Sequence, residues 1–228
     1  MAAVIKVIIP AFNEEWAIGL VLAEIPDLVS EVIVVNNNST DQTARVAAEA
    51  GATVLHEARQ GYGSACLKGI DYLKQQELWP DIVVFLDADH SDYPEELGQL
   101  VAPILEADVE MVIGSRALGQ RQRGSMMPQQ IVGNWLATTL LRWLYGVRYT
   151  DLGPFRAIRF KTLLDLDMRD TTYGWTVEMQ LKAAKQTLSV REVPVRYRRR
   201  IGTSKISGTL KGTLFAGWKI ITTIFRYL

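Results

Sequence analysis

An α/β fold around a mainly parallel central sheet, flanked by helices, is predicted by three features of this sequence. Short runs rich in Val and Ile alternate with stretches of helical periodicity through the first half of the chain. The clearest run, 82–86 (IVVFL), is apolar throughout, the pattern of a strand buried on both faces. Polar or glycine-containing turns follow the runs, and right-handed crossovers would carry those turns to one edge of the sheet.

Residues 4–9 form the first predicted strand, stopped by Pro10. Phe12-Asn13-Glu14-Glu15 leads into a helix whose apolar face is Ile18, Val21, Leu22 and Ile25. A second strand, 31–35, ends in Asn36-Asn37-Asn38-Ser39-Thr40-Asp41, a cluster suited to a turn and a helix N-cap before a helix over 44–50. Gly51 closes that helix, and 53–55 is the third strand. Arg59-Gln60-Gly61-Tyr62-Gly63 is a glycine loop before a helix over 64–73. After the fourth strand, 82–86, Pro94 opens a helix with Glu95 and Glu96 in its first turn, where the helix dipole favours anions. The fifth strand is 109–113.

Beyond it the texture changes. Residues 117–128 are a polar loop of a length usually tied to function. The helix predicted over 131–145 is apolar nearly all round, which implies deep burial or contact with something non-aqueous. A tight turn over 150–156 feeds a strand over 155–158, a helix covers 177–184, and 190–197 is a last strand. Residues 199–205 make a basic loop suited to phosphate. In 207–228, Leu210, Leu214, Trp218, Ile221, Phe225 and Leu228 share one helical stripe, bordered by Lys211, Lys219, Thr222 and Arg226. That amphipathic helix packs on its own domain or lies at a membrane surface. The expected division is a catalytic domain over 1–206 and a C-terminal amphipathic helix over 207–228.

Composition excludes several classes. Lys and Arg number 25 against 25 Asp and Glu, so no nucleic-acid signature is present. The single cysteine, Cys66, rules out an intramolecular disulfide and fits a reducing, cytoplasmic setting. The first residues have no signal-peptide pattern, and no uncharged apolar run reaches the roughly 18–20 residues that cross a bilayer. The G-x-G-x-x-G and G-x-x-x-x-G-K-[ST] fingerprints are missing, which disfavours dinucleotide and P-loop chemistry.

Chemistry concentrates at the end of the fourth strand, in Asp87-Ala88-Asp89. Alternation in extended chain points Asp87 and Asp89 the same way, and two clustered anions call for a positive charge between them. A hard divalent cation with positions left for phosphate oxygens would supply it. As loop acids alone they would merely cap the next helix. Yet five strand ends, at 10–14, 36–41, 61–63, 87–89 and 114–116, converge on the same rim with acids, amides, glycines and an arginine. That joint occurrence points to a binding site.

These stretches together resemble family 2 glycosyltransferases of the GT-A fold, in the branch similar to dolichol-phosphate mannose synthases. The marks are VIIPAFNEE, VIVVNNNSTDQT, the Gly61 loop, FLDADHSDYPEEL, VIGSR, TDLGPFRAI, GWTVEM and RRRIGTSKISGT, from residue 4 to about residue 217. The resemblance implies that Pro10, Phe12 and Glu14 line the base and ribose pocket, with Val35 and Asn37 at the base edge. Asp87 would touch the ribose or the metal, beside Ala88. Asp89 would be the main ligand of Mg²⁺ or Mn²⁺, with Ser91 completing its shell. Arg116 would reach the diphosphate or donor sugar, and Arg199 or Arg200, with Lys205, would clamp phosphates. Asp151, Arg156, Trp175 and Glu178 would floor the meeting place of donor and acceptor. This chain departs from the pattern at Asn36-Asn37, where two aspartates are usual, at Phe12 for tyrosine, and at Gly153-Pro154 for Ser-Gly.

The implied activity is an inverting, metal-dependent hexose transfer from a UDP- or GDP-linked sugar to a polyprenyl phosphate, at the cytoplasmic face of a membrane. Peripheral membrane contact and a homo-oligomer are compatible with it. With a hydroxyl acceptor instead, in a soluble transferase, Asp151 or Glu178 would act as a base with its pKa raised towards neutrality. A catalytically inactive nucleotide-sugar-binding module is the remaining alternative, resting on Asn36 and Asn37. A nucleotidyltransferase fits less well, because residues 10–15 are acidic where it wants a basic glycine loop.

Overall fold

The computed structural model describes residues 3–202 and 210–227. Its first half runs β1 (Ile5–Ala11), α1 (Ile18–Ala23), β2 (Glu31–Asn36), α2 (Thr43–Glu49), β3 (Thr53–His56), α3 (Tyr62–Lys74) and β4 (Ile82–Phe85). A 3-10 turn (Pro94–Glu96) precedes α4 (Leu97–Glu106), β5 (Met111–Ser115) and α5 (Pro128–Tyr145). The remainder is β6 (Arg156–Arg159), α6 (Phe160–Asp165), α7 (Trp175–Lys185), β7 (Val190–Pro194) and α8 (Leu210–Arg226). Lys205 and the 206/207 boundary lie outside the described residues.

The strands form one sheet in the order β3-β2-β1-β4-β6-β5-β7. Each of the long-run strands is buried on both faces, so alternate residues feed two separate cores. Val7, Ile9, Val34 and Val84 meet α1, α2 and α4, whereas Ile8, Ile33, Val83 and Phe85 meet α3, α6 and α7. That two-sided burial is why these strands read as unbroken apolar runs. Helix α6 is a short element absent from the sequence expectation. Strand β7 stops at Pro194, which lacks an N–H, and Tyr197 pairs only through isolated bridges to Asp92 and Arg121.

Most pairings are parallel, but β6 runs against both neighbours, with Arg156 opposite Phe85 on β4 and Ile113 on β5. A reversed strand presents its N-terminal end where its neighbours present their C-terminal ends. The 151–156 turn is thereby delivered to the ligand rim beside Arg116.

A third cluster lies outside the sheet, where Ala137 and Leu141 of α5, Val177 and Leu181 of α7, and Ile224 of α8 are buried together. The side of α8 that packs holds Ile220, Ile224 and Tyr227. The predicted apolar stripe is therefore turned outward in part, with Trp218 68% and Phe225 53% exposed. Helix α5 is likewise buried on one side only. Among the described residues no helix is long and apolar enough to cross a membrane.

Candidate active site

A cavity of about 350 Å³ opens at the ends of β1, β2 and β4. Pro10, Phe12 and Glu14 form one wall, and Asp87, Ala88 and Asp89 form the floor. Gln60, Gly61 and Tyr62 enter from the glycine loop, Tyr173 from the turn before α7, and Arg200 from the basic loop. The glycines are required there. At Gly61 (φ +147°) or Gly63 a Cβ would strike the backbone of Asp170 and Thr171. Ser64 N–H donates to Thr171 O at 3.0 Å, so this close approach fixes Tyr173 against the cavity.

The acid pair meets at the cavity by a different route from the strand alternation expected: β4 ends at Phe85, and Ala88 and Asp89 lie in the turn that follows, with Asp87 and Asp89 both lining the cavity. Asp89 is buried, and Ser91 donates to its Oδ1 from both the backbone N–H (2.9 Å) and the hydroxyl. In this structure Ser91 orients Asp89. The other oxygen, Oδ2, lies 3.2 Å from Arg200 Nη1, and Arg200 Nη2 donates to Glu14 at 2.9 Å. Burial, and then the charge of Asp89, push the Asp87 carboxyl up to about 7. A divalent cation fits this donor set: hard oxygens are crowded after β4, and the nearby Arg200 leaves the Asp87 carboxyl still raised by burial and by Asp89. Among the described residues no group of three His, Cys, Asp or Glu forms a preformed cage, so most coordination positions would fall to phosphate and water.

Behind this pair, Arg116 and Asp151 form a bidentate bridge with Nε 2.8 Å and Nη2 2.7 Å from the carboxylate, and Arg116 N–H adds a third bond at 2.7 Å. Burial raises the Asp151 carboxyl, but Arg116 more than reverses this and holds it below its ordinary range. The expectation of a base raised towards neutrality is therefore not met at Asp151. Nor does Glu178 stand ready. It is fully buried and takes the Arg169 and Asp170 amides, the Tyr227 hydroxyl (2.6 Å) and Lys182 Nζ (2.8 Å). Glu178 ties α7 to α8 and to the 169–170 turn, away from the cavity floor. Arg156 is also sealed, spending its guanidinium on the carbonyls of Leu152, Gly153 and Thr176. Burial pulls its pKa down to about 10. Trp175 is buried in the core edge-on to Phe85, with its Nε1 unpartnered.

Two other expectations change for a reason of packing. Val35 points into the core shared with α3 and is not among the residues that line the cavity. Arg199 turns outward and donates to Arg123 O at 2.9 Å, so Arg200 alone of the two reaches the cavity. Asn37 lines the cavity, but its amide is committed: Nδ2 donates to Glu57 O (3.1 Å) and Arg59 O (2.8 Å), and Oδ1 accepts from Gly61 N–H (2.7 Å). An aspartate could not make the first two bonds, which explains the amide at this strand end.

Tyr62 lies in the 61–63 stretch expected at the rim, but sequence reasoning missed Gln60 and Tyr173 as lining residues, and it missed Asp92. Asp92 is 2% exposed, neither carboxylate oxygen has a hydrogen-bond partner among the described residues, and burial and then Asp87 drive its carboxyl well up. Its spacing after Asp87 and Asp89 was the available signal.

With this geometry in view, the comparisons with known proteins are consistent. Residues 6–166 match the family profile described as Glycosyl transferase family 2. An uncharacterized glycosyltransferase of Mycobacterium tuberculosis is 36% identical over 96% of this chain and 98% of its own length. The undecaprenyl-phosphate mannosyltransferase of Micrococcus luteus is 32% identical, covering 90% of this chain and 88% of that protein. In fold, the chain resembles glucosyl-3-phosphoglycerate synthase from Mycobacterium tuberculosis in complex with Mn²⁺, UDP-glucose and phosphoglyceric acid. The TM-score is 0.79 at 24% identity, over 99% of this chain and 79% of that one. The profile spans well over half the sequence, and the relatives align with nearly all of it. The chain thus belongs to glycosyl transferase family 2, and it is a glycosyltransferase.

Proposed function

We propose that this enzyme transfers a hexose, with inversion, from a UDP- or GDP-linked donor to a polyprenyl phosphate, using Mg²⁺ or Mn²⁺. Two relatives with that kind of acceptor in their names support the acceptor class: the Micrococcus luteus enzyme and the dolichyl-phosphate hexose transferase of Haloferax volcanii, 31% identical over 89% of this chain.

The observation that carries the reading is the state of the two candidate bases. Asp151 is locked onto Arg116, and the oxygens of Glu178 are occupied by amides, a hydroxyl and a lysine. Neither is placed to take a proton from an acceptor hydroxyl. A phosphate monoester is already anionic and needs no such base.

The division of labour follows from the cavity. Phe12 and Pro10 offer an apolar wall for the base, and Glu14 lies on the ribose side. Asp87 and Asp89 would hold the cation, which when bound supplies charge neutralisation to the departing diphosphate. Arg200, already over Asp89, would shift onto phosphate oxygens, and the buried Arg116–Asp151 pair keeps a fixed dipole beneath the sugar.

The test is transfer of labelled hexose from UDP- and GDP-sugars to polyprenyl phosphate and, in parallel, to soluble hydroxyl acceptors. Product that is lipid-soluble and metal-dependent is expected. Efficient transfer to hydroxyl acceptors with none to polyprenyl phosphate would reject the proposal.

A further inference from the structure

The net charge of zero hides a strong segregation. Residues 111–150 and 193–228 contain no Asp or Glu, yet they hold thirteen of the 25 lysines and arginines. The rest of the chain carries every acid. These two acid-free segments contain α5 and α8, which lie side by side, joined by Ala137, Leu141 and Ile224 and by Tyr145 Oη–H to Ile224 O at 2.7 Å.

Their outward sides are apolar. On α5, Ile131, Val132, Trp135, Leu136 and Trp143 are exposed, Trp135 at 64% and Trp143 at 80%. These positions fall on one helical face, opposite the buried Ala137 and Leu141. On α8, Trp218 and Phe225, seven residues apart, are exposed together. Around them Arg142, Arg148 and Arg226 are exposed, as are Arg121, Arg123 and Arg199 of the neighbouring loops, and none of the six forms a salt bridge among the described residues. A water-facing surface has no use for two solvent-exposed indoles on one helix, and uncompensated arginines repel one another.

We infer that the outer face of α5 and α8 docks this enzyme on an anionic lipid bilayer. Indole rings favour the headgroup boundary, the aliphatic residues enter the acyl region, and the arginines meet lipid phosphates. A protein partner would normally present a mixed set of charges, whereas this face is of one sign. Docking also places the cavity at the membrane. Helix α8 contacts the turn that carries Tyr173: Lys219 Nζ is 3.0 Å from Asp170, and a Cβ on Gly174 would meet Thr223 Oγ1 at 2.7 Å. Helix α5 holds the other side, where Asn134 bonds Thr150 O (3.0 Å) and Leu152 N–H (2.9 Å) around Asp151.

The inference is independent of the acceptor, because binding needs no donor and no turnover. The test is flotation of the full chain with vesicles of phosphatidylcholine, with and without phosphatidylglycerol. Binding to the anionic vesicles alone, weakened by salt, is expected. Trp143→Glu with Trp218→Glu should lower the partition at least about tenfold, and Arg142→Glu or Arg148→Glu on the order of fivefold each. All four positions are exposed, so an unchanged thermal melt shows that the fold is intact. No flotation, equal flotation on neutral vesicles, or a dimer that Trp143→Glu dissociates would overturn the inference. A chain that floats but does not glycosylate polyprenyl phosphate rejects the acceptor proposal and leaves this one standing.

Discussion

Arg200 Nη1 stands 3.2 Å from Asp89 Oδ2, across the mouth of the cavity. The same guanidinium reaches Glu14 at 2.9 Å, so one arginine spans acids from the β1 and β4 ends. The backbone reinforces this: Ile201 N–H bonds Asp89 O and Arg198 N–H bonds Ser91 O, both at 2.9 Å. The basic loop is thereby laid directly over the acid pair.

Asp89→Asn keeps the shape and removes the charge. Turnover is expected to fall by about a hundredfold or more, with loss of the saturable response to Mn²⁺. Arg200→Ala should instead weaken binding of the nucleoside diphosphate by about tenfold, measured by calorimetric titration. A variant at Asp89 with full, metal-responsive activity would remove that residue from the site.

Asp151→Ala would leave Arg116 charged, buried and without its partner. Breaking such a pair typically costs about 3–5 kcal/mol. Denaturant unfolding should show a loss of that order, and replacing Arg116 by Met in the same chain should recover part of it. A loss of activity with unchanged stability would point instead to direct chemistry at Asp151.

Asn37→Asp exchanges two donated hydrogen bonds for a carboxylate facing the carbonyls of Glu57 and Arg59. A destabilisation of about 1–3 kcal/mol is expected in urea unfolding. Nucleotide affinity should decline with it, since Gly61 hangs from the same side chain.

Glu31 provides a pH test remote from the site. Burial alone would raise its carboxyl, but bonds from Lys6, Gln76, Thr53 and Tyr72 overturn that and lower it to about 2. A depressed folded-state pKa contributes stability that is present above the ordinary carboxylate value. That contribution is lost as pH falls from about 4.5 towards about 2. Glu31→Gln should thus lower the melting temperature at neutral pH and narrow its gap to the unsubstituted protein near pH 3. An equal deficit at both pH values would contradict this assignment.

The exposed stripe on α8 shows where sequence periodicity stopped being informative. Trp218, Ile221 and Phe225 share a helical face by spacing alone, yet α5 and α7 receive the adjoining side, Ile220, Ile224 and Tyr227. Which of two apolar faces packs depends on the shape of the surface that the helix meets. Val35 is the same lesson in a strand: in line with the rim residues by sequence, it is still inside β2, whose two faces are both buried, and alternation decides only that it joins the core with α3 while Val34 joins the other.

The sequence by itself determined the strands, their turns and the acid pair after β4, because apolar runs, breakers and clustered carboxylates are local properties of the chain. Tertiary structure alone decided which charges are spent on one another. Asp151 finds Arg116 35 positions away, Glu14 finds Arg200 186 positions away, and the Asp92 carboxylate finds no hydrogen-bond partner among the described residues. Reversal of β6 and closure of the basic loop set these distances. Coulomb and hydrogen-bond energies depend on separation in space, which no local pattern encodes.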